Sequence, residues 1–457
     1  MLGYKKCLIP FRKGHHPVFC LVMISFAAII MSCNGRGKKH GTSESESVVI
    51  DTLIFDTTGI SRSRRAGDVA YLNKKRINND LILVNDGSVN NRVYLMDKNA
   101  EILHEWPLDR KIGKDAYLMP NGNLLTKMMV DSSSINFGGQ AGLIQILAPD
   151  GTVEWEFTHA SDDYITHHDA ELLPNGNILT LVWEKMPEEK ALQAGSLMGT
   201  DIYPEAIIEV DTSRNEIVWE WHAWDHLVQE VDDSRDNYGI VARNPQLINL
   251  NYVSDHKGDI MHANGIAYDP ERDLIFLTIN WYSEVWVIDH STSRTEAASH
   301  SGGNYACGGD LVYRFGNPSA HDHPNGKRLF DFVHSPIFSG DRHDPYGHML
   351  LFSNRTNGRD QSMVYEVDLS GKLILSPDTF NEPKIIWSFT HPDLYGGRIS
   401  GASRQSNGNT LITEGDYGIW EVTPDKEVVW KYMDKGSFLW RSYPFDRDSE
   451  SLKLIMP

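Results

Sequence analysis

Leu173-Pro-Asn-Gly-Asn-Ile-Leu179, followed by the Trp-bearing stretch Glu216-Ile-Val-Trp-Glu-Trp221, is one copy of a pattern that recurs along the whole chain. Each copy has a polar opening, an Asn-Gly-type turn, an apolar strand, a second strand, an acidic turn and a closing strand. Leu118-Met-Pro-Asn-Gly-Asn-Leu-Leu125 with Thr152-Val-Glu-Trp-Glu-Phe157 is the copy before it. Tyr268-Asp-Pro-Glu-Arg-Asp-Leu-Ile275 with Leu311-Val-Tyr-Arg-Phe315 is a variant after it. Looser copies run from Met349-Leu-Leu-Phe352 to Lys384-Ile-Ile-Trp-Ser-Phe389 and from Ser406-Asn-Gly-Asn to Glu427-Val-Val-Trp-Lys-Tyr432. Residues 81–108 form a degenerate first copy. Asn-Gly pairs supply the positive φ that tight hairpin turns require. No long segment of 3.6-residue period competes. Repeats of about fifty residues or more, each three or four strands, predict radial blades, so the expected fold is an all-β, six-bladed β-propeller. Strands near residues 48–80 are expected to pair with the last blade and close the ring.

Two insertions interrupt the repeats, at about 184–202 and 224–260; the second is expected to sit as a lid on one face. Residues 1–32 read as a signal rather than as part of the fold. Lys5, Lys6, Arg12 and Lys13 precede an apolar run from Val18 to Met31, which ends in Ile30-Met31-Ser32-Cys33. That order fits a bacterial lipoprotein signal with Cys33 lipidated, residues 33–47 as a flexible tether and 48–457 as the propeller. The expected location is the cell envelope, with the membrane reached through the lipid anchor only. Losing residues 1–32 removes four positive charges and no negative ones, taking the formal charge from −19 to −23. Such a surface repels phosphate backbones, so nucleic acid is excluded as a partner. Of four cysteines only Cys307 would remain in the body, which rules out an internal disulfide and a cysteine-based metal site. The sequence does not set the oligomeric state; a homodimer is compatible with it.

The chemistry is carried by histidines. His167-His168-Asp169 opens one blade, His262-Ala-Asn264 the next, and His334 follows Phe330-Asp-Phe-Val. The strand that opens a blade lines the axis of a propeller, so the three positions converge on one cavity. Imidazole there serves as nucleophile, acid/base or metal ligand. One carboxylate, Asp169, lies close enough in sequence to keep a His-rich metal site open.

Several of these segments together resemble the bacterial arylsulfotransferases, the PAPS-independent arylsulfate sulfotransferases of the envelope. The resemblance rests on His167–Leu179, Ile217-Val-Trp-Glu-Trp-His-Ala-Trp-Asp-His226, His262-Ala-Asn-Gly-Ile-Ala-Tyr-Asp-Pro270, Ser283–Thr292, Tyr313-Arg-Phe-Gly-Asn-Pro318 and Ile399-Ser-Gly-Ala-Ser-Arg404. It spans roughly residues 80–435. It implies a six-bladed propeller that moves a sulfuryl group from a phenolic sulfate ester to a phenol by a ping-pong route, without cofactor or metal. By position, the nucleophile that becomes sulfated corresponds to His334. His262 and Asn264 resemble the pair that binds the sulfuryl oxygens, and the His-His-Asp histidine is His167 or His168, with blade register favouring His168. Trp281 and Tyr282 are candidates to hold the aryl ring. The pattern departs from the family at Asn280, where an arginine is usual, and at Val333-His334-Ser335. Arg404 or Arg355 is expected to compensate. Two other readings stay open: a non-catalytic ligand- or glycan-binding propeller lipoprotein, and a metal-dependent hydrolase or lyase on the same scaffold.

Overall fold

A computed structural model describes residues 65–340, 343–373, 375–377 and 382–456, together with the backbone of two short strands, Leu53–Phe55 and Ser61–Ser63. The expected signal, tether and Cys33 lie outside the described residues. The repeat pattern folds as read. In the turn after Leu173 the Asn177 carbonyl accepts from the Leu173 amide, and Gly176 sits at φ 86°. Asn175 Oδ1 accepts from the Asn177 amide, and Gly122 and Gly408 repeat the positive φ in equivalent turns. A side chain at those glycines would be strained, which is why the turn chemistry recurs with the strands.

Six antiparallel sheets result, and the chain is a six-bladed β-propeller. Blade 2 runs Ile112–Leu118, Leu124–Met129, Gly142–Leu147, Val153–Thr158, from axis to rim. Blade 3 is Tyr164–Leu172, Ile178–Glu184, Glu205–Asp211 and Glu216–His222; blade 4 is Ala263–Asp269, Leu274–Ile279, Glu284–Asp289 and Tyr313–Phe315. Blade 5 is Asp331–Phe338, His348–Arg355, Met363–Asp368 and Lys384–Phe389; blade 6 is Gly401–Arg404, Thr410–Glu414, Gly418–Val422 and Val428–Met433. The first strand of each blade packs against the first strands of its neighbours, so these six strands enclose the axis.

Ring closure takes two strands, one from each end. Asp68–Leu72 pairs with Val428–Met433 as an extra outer strand of blade 6, within the region expected to meet the last blade. The degenerate copy at 81–108 is completed from the other end: Leu439–Phe445 pairs with Leu81–Asp86 and becomes the axial strand of blade 1. The sequence reading took no strand there. Pro444 is tolerated because an innermost strand pairs on one side only, leaving its N–H side free of a ladder. Lys98 of blade 1 reinforces the seam: its ammonium lies 2.6 Å from Glu421 of blade 6, and its carbonyl accepts from the Trp430 indole at 2.8 Å.

The core lies between blades, where large apolar side chains from facing sheets interdigitate; Trp106, Trp183, Trp221, Trp286, Trp420, Trp430 and Trp440 are fully buried. The first insertion forms the short helix Glu188–Gln193. The second holds the 3-10 turns Ala223–His226 and Val241–Arg243 and a two-stranded parallel pair, Leu227–Val228 with Ile248–Asn249. Leu439, fully buried on the closing strand, fixes the C-terminal end into the gap between blades 6 and 1. Leu439→Ala is expected to lower unfolding free energy by about 2–5 kcal/mol. Val153→Ala on an exposed outer strand should cost less than about 1 kcal/mol. Urea denaturation of the two variants measures the difference.

Candidate functional site

The axial strands do not run straight. Ladder register breaks between Ile112 and Ala116, His167 and Ala170, Ala263 and Gly265, His334 and Ile337, and Leu439 and Ser442. His168, His262 and Ser335 hold positive φ at these points, 47°, 56° and 61°. A bulge turns a side chain that would lie along the sheet toward the axis. The outcome is a cavity of about 630 Å³ whose wall includes His168, His262 and His334, three residues from separate blades. The His168 and His262 rings meet edge to face at 4.8 Å. Trp440, from the closing strand, lies 5.4 Å from the His168 ring and 6.2 Å from that of His334.

Each ring has an orienting partner. His334 Nδ1 lies 3.3 Å from the Phe332 carbonyl, which can only accept, so Nδ1 carries the hydrogen and Nε2 is bare. Burial pushes its pKa down to about 3, so the ring is neutral at any ordinary pH. Asn280 Nδ2 stands 3.4 Å from both ring nitrogens. His262 Nδ1 bonds Asp259. His168 Nδ1 meets His167 Nδ1 at 2.8 Å, and His167 Nε2 meets Glu205 at 2.7 Å. Burial, then the Asp259 charge, holds Glu205 well above the usual carboxyl range, while burial holds both histidines well below theirs. A protonated Glu205 donates to His167, which donates to His168. The chain of donors therefore ends in an N–H at His168 Nε2. Gly139, at φ 109°, makes room for that ring: a Cβ there would sit 2.1 Å from Nε2.

Among the described residues the wall carries four cations, Lys114, Lys257, Arg355 and Arg398, and one carboxylate, Asp259, with Arg355 also paired to Asp360 and Arg398 to Asp416 outside the lining. In a chain of formal charge −19 this is a local reversal that favours an anion. Lys114 from blade 2 and Arg398 before blade 6 both lie over the Phe438 ring, at 4.4 and 4.9 Å. Phe137, Trp281, Phe332 and Phe438 add aromatic surface. The expected lid reaches the pocket through His256, Lys257 and Asp259, with the His256 ring stacked on Trp281 at 3.9 Å.

Not every residue expected here arrives. His167 is buried behind His168, stacked 3.8 Å from Trp183, and does not line the cavity. Asn264 is consumed by structure: Nδ2 donates to the Val333 carbonyl at 2.8 Å, and Oδ1 accepts from Thr278. Arg404 points away, paired with Glu366 and bonded to Thr410, its guanidinium over Trp387. Tyr282 is a packing residue whose hydroxyl donates to the Asn249 carbonyl. Arg355 does reach the wall, as do Asn280 and Trp281. Lys114, Arg398 and Phe438 were not singled out from sequence. Lys114 and Phe438 carry no motif of their own, and no local pattern marks them.

Fold and site together define a six-bladed β-propeller with a cation-bordered histidine pocket on its axis. The family model described as Arylsulfotransferase (ASST) matches residues 54–297, and the chain belongs to that family. Membership carries arylsulfotransferase activity in general, with an aryl sulfate as donor and a phenol as acceptor. No curated protein matches the chain significantly. Among solved structures, it is similar to a protein of unknown function from Bacteroides caccae, at 15% identity over 80% of this chain and 99% of that one, TM-score 0.46. It is also similar to the β-propeller domain of Myceliophteria thermophila Cps50 (Swd1), at 11% identity over 87% and 90%, TM-score 0.39.

Burial, aided by Lys111 and Arg398, lowers the Lys114 ammonium to about 8. Its charge is therefore present below that pH and lost above it. Affinity for p-nitrophenyl sulfate, measured calorimetrically, is expected to weaken by roughly tenfold between pH 7 and pH 9.5, the size of one charge-assisted bond. Lys114→Met should bind at the weak level throughout, without that pH dependence.

Proposed function

We propose that the chain moves a sulfuryl group from a phenolic sulfate ester to a phenol through a sulfohistidine formed on His334, with no nucleotide taking part. The observation that carries this reading is a neutral imidazole with a bare Nε2 in a pocket ringed by cations and aromatic faces. Nε2 attacks sulfur in line while the ester S–O bond breaks and the aryl oxygen leaves with the electron pair. Lys114, Arg355 and Arg398 offset the charge on the sulfuryl oxygens, the task that an arginine at position 280 would otherwise serve. His168 Nε2–H gives its proton to the departing phenolate, and the proton deficit passes through His167 to Glu205, which becomes a carboxylate. The acceptor phenol returns a proton along the same chain as its oxygen attacks the sulfohistidine, restoring Glu205.

Support for the nucleophile's readiness comes from its low pKa. An ordinary imidazole near 6.5 would be protonated and inert at pH 5, but one lowered to about 3 stays neutral there. The burst of nitrophenol release from p-nitrophenyl sulfate should therefore be as fast at pH 5 as at pH 7. His334→Ala should abolish turnover, by at least about 10³-fold, and intact-mass analysis of rapidly quenched wild type should show one sulfuryl group mapping to the His334 peptide. A label on the His168 or His262 peptide would reassign the nucleophile. Turnover by neither protein, with ligand binding retained, would leave a binding propeller. Glu205→Gln, which breaks the proton chain, should slow steady turnover more than the burst.

We also propose that the chain acts in the cell envelope, held by lipid on Cys33 and spaced by residues 33–47. The support is the order of charges, apolar run and cysteine in residues 1–33. Cys33→Ala expressed with its leader should partition into the soluble fraction, and wild type into the detergent phase; equal partitioning defeats the anchor.

A further inference from the structure

Away from the axial pocket, His226, His300 and Asp310 bring three ligand-type atoms together, all within 4.8 Å of one another. His226 ends the 3-10 turn Ala223–His226, which opens the second insertion. His300 and Asp310 belong to the connection between Glu284–Asp289 and Tyr313–Phe315 of blade 4. His226 Nδ1 lies 2.8 Å, and His300 Nδ1 2.7 Å, from the same Asp310 oxygen.

The hydrogen-bond arithmetic of His226 is incomplete as it stands. Its Nε2 lies 2.8 Å from the Ala297 carbonyl, an acceptor only, so Nε2 carries the hydrogen. A neutral ring then presents a bare Nδ1 to a carboxylate oxygen, two lone pairs facing each other. Something positive must sit between them, a proton or a metal ion. The surroundings favour the ion. His226 and Asp310 are buried, and the Ala297 carbonyl orients the His226 ring through its second nitrogen, the usual outer support of a metal-bound histidine. Gly309 lets the loop pass this close, since a Cβ there would stand 2.5 Å from His226 Nε2. His300 is 62% exposed and borders a cavity of about 280 Å³ shared with Trp224, Asp225 and Asn237, so a water can reach a fourth position.

We propose that His226 Nδ1, His300 Nδ1 and an Asp310 oxygen bind one divalent transition-metal ion, with zinc as the best fit to two imidazoles, one carboxylate and an open position. Tetrahedral zinc with bonds of about 2.0–2.2 Å sets its ligands about 3.3–3.6 Å apart, so the Asp310 carboxylate must turn back from both imidazoles, now 2.8 and 2.7 Å away, and the exposed His300 must shift with it. The ion staples the start of the second insertion to blade 4. The far end of that insertion supplies His256, Lys257 and Asp259 to the axial pocket. The sequence reading assigned no metal ligand and kept a metal open only at the axial histidines beside Asp169; the present site is a different one and does not depend on the sulfuryl-transfer mechanism.

The test is metal analysis of the full chain purified without chelator, followed by EDTA stripping and zinc titration against a chromophoric indicator. Wild type is expected to take up one tight equivalent and to gain thermal stability with zinc. His300→Ala and Asp310→Asn should each weaken that equivalent by at least about tenfold and lose the thermal gain. The chain has 19 histidines, so His391→Ala, on an exposed loop, is the control and should bind as wild type does. No tight equivalent in wild type, or equal binding by His300→Ala and Asp310→Asn, overturns the proposal and leaves an imidazolium–carboxylate pair only.

Discussion

Arg441 reaches from the C-terminal strand of blade 1 to Asp169 of blade 3, 2.7 Å away, and donates to the Asn264 carbonyl of blade 4 at 3.1 Å. Asp169 in turn accepts from the Ile266 amide, and Tyr443 donates to Asp115 of blade 2. One buried guanidinium thus ties together axial strands of three blades, and its strand is the one that closes the ring. Burial opposes its charge, yet Asp169 and Asp115 keep it firmly protonated. A pair like this is weak evidence for net stability, because desolvation offsets most of the attraction. Its effect is to fix position. Once the closing strand is seated by Arg441, Trp440 beside it must lie against the His168 and His334 rings.

The same network separates two cavities of opposite character. Adjacent residues of an axial strand face different ones: Lys114 and His168 line the cationic pocket, Asp115 and Asp169 a second cavity of about 390 Å³. Burial and neighbouring carboxylates raise Asp115 to about 7 and Glu171 to about 8. The pocket for the anion is therefore screened from carboxylates a single residue away in sequence. Strand alternation accomplishes this without any dedicated barrier.

Much of this was legible in the sequence, for definite reasons. Asn-Gly turns and Trp-bearing strands repeat, and local chemistry of that kind survives in any one copy. His168, His262 and His334 could be placed because each sits where a blade opens. Asn264 and Arg404 could not, since one residue of register decides whether a strand side chain faces the axis or the neighbouring sheet. Leu439–Phe445 was missed because its partner lies more than 350 residues away and Pro444 masks its strand character. Lys114, Arg398 and Phe438 were missed because nothing near them in the chain repeats; only ring closure brings them together.

The departure at Asn280 shows how a closed ring loosens the tie between position and charge. Read along the chain, asparagine in place of arginine is a lost cation. Around an axis, however, every blade points a residue at the same space, and the field at the sulfuryl group depends on the sum of nearby charges rather than on which blade carries them. In the proposed mechanism, Lys114 of blade 2, Arg355 of blade 5 and Arg398 before blade 6, which all line the cavity, would supply that sum. Asn280 keeps a different duty, holding its amide within 3.4 Å of both His334 nitrogens. Burial is the main cause that keeps His334 unprotonated, and nearby cationic groups such as Arg441 push in the same direction, so a cation at position 280 is not needed to hold the ring neutral.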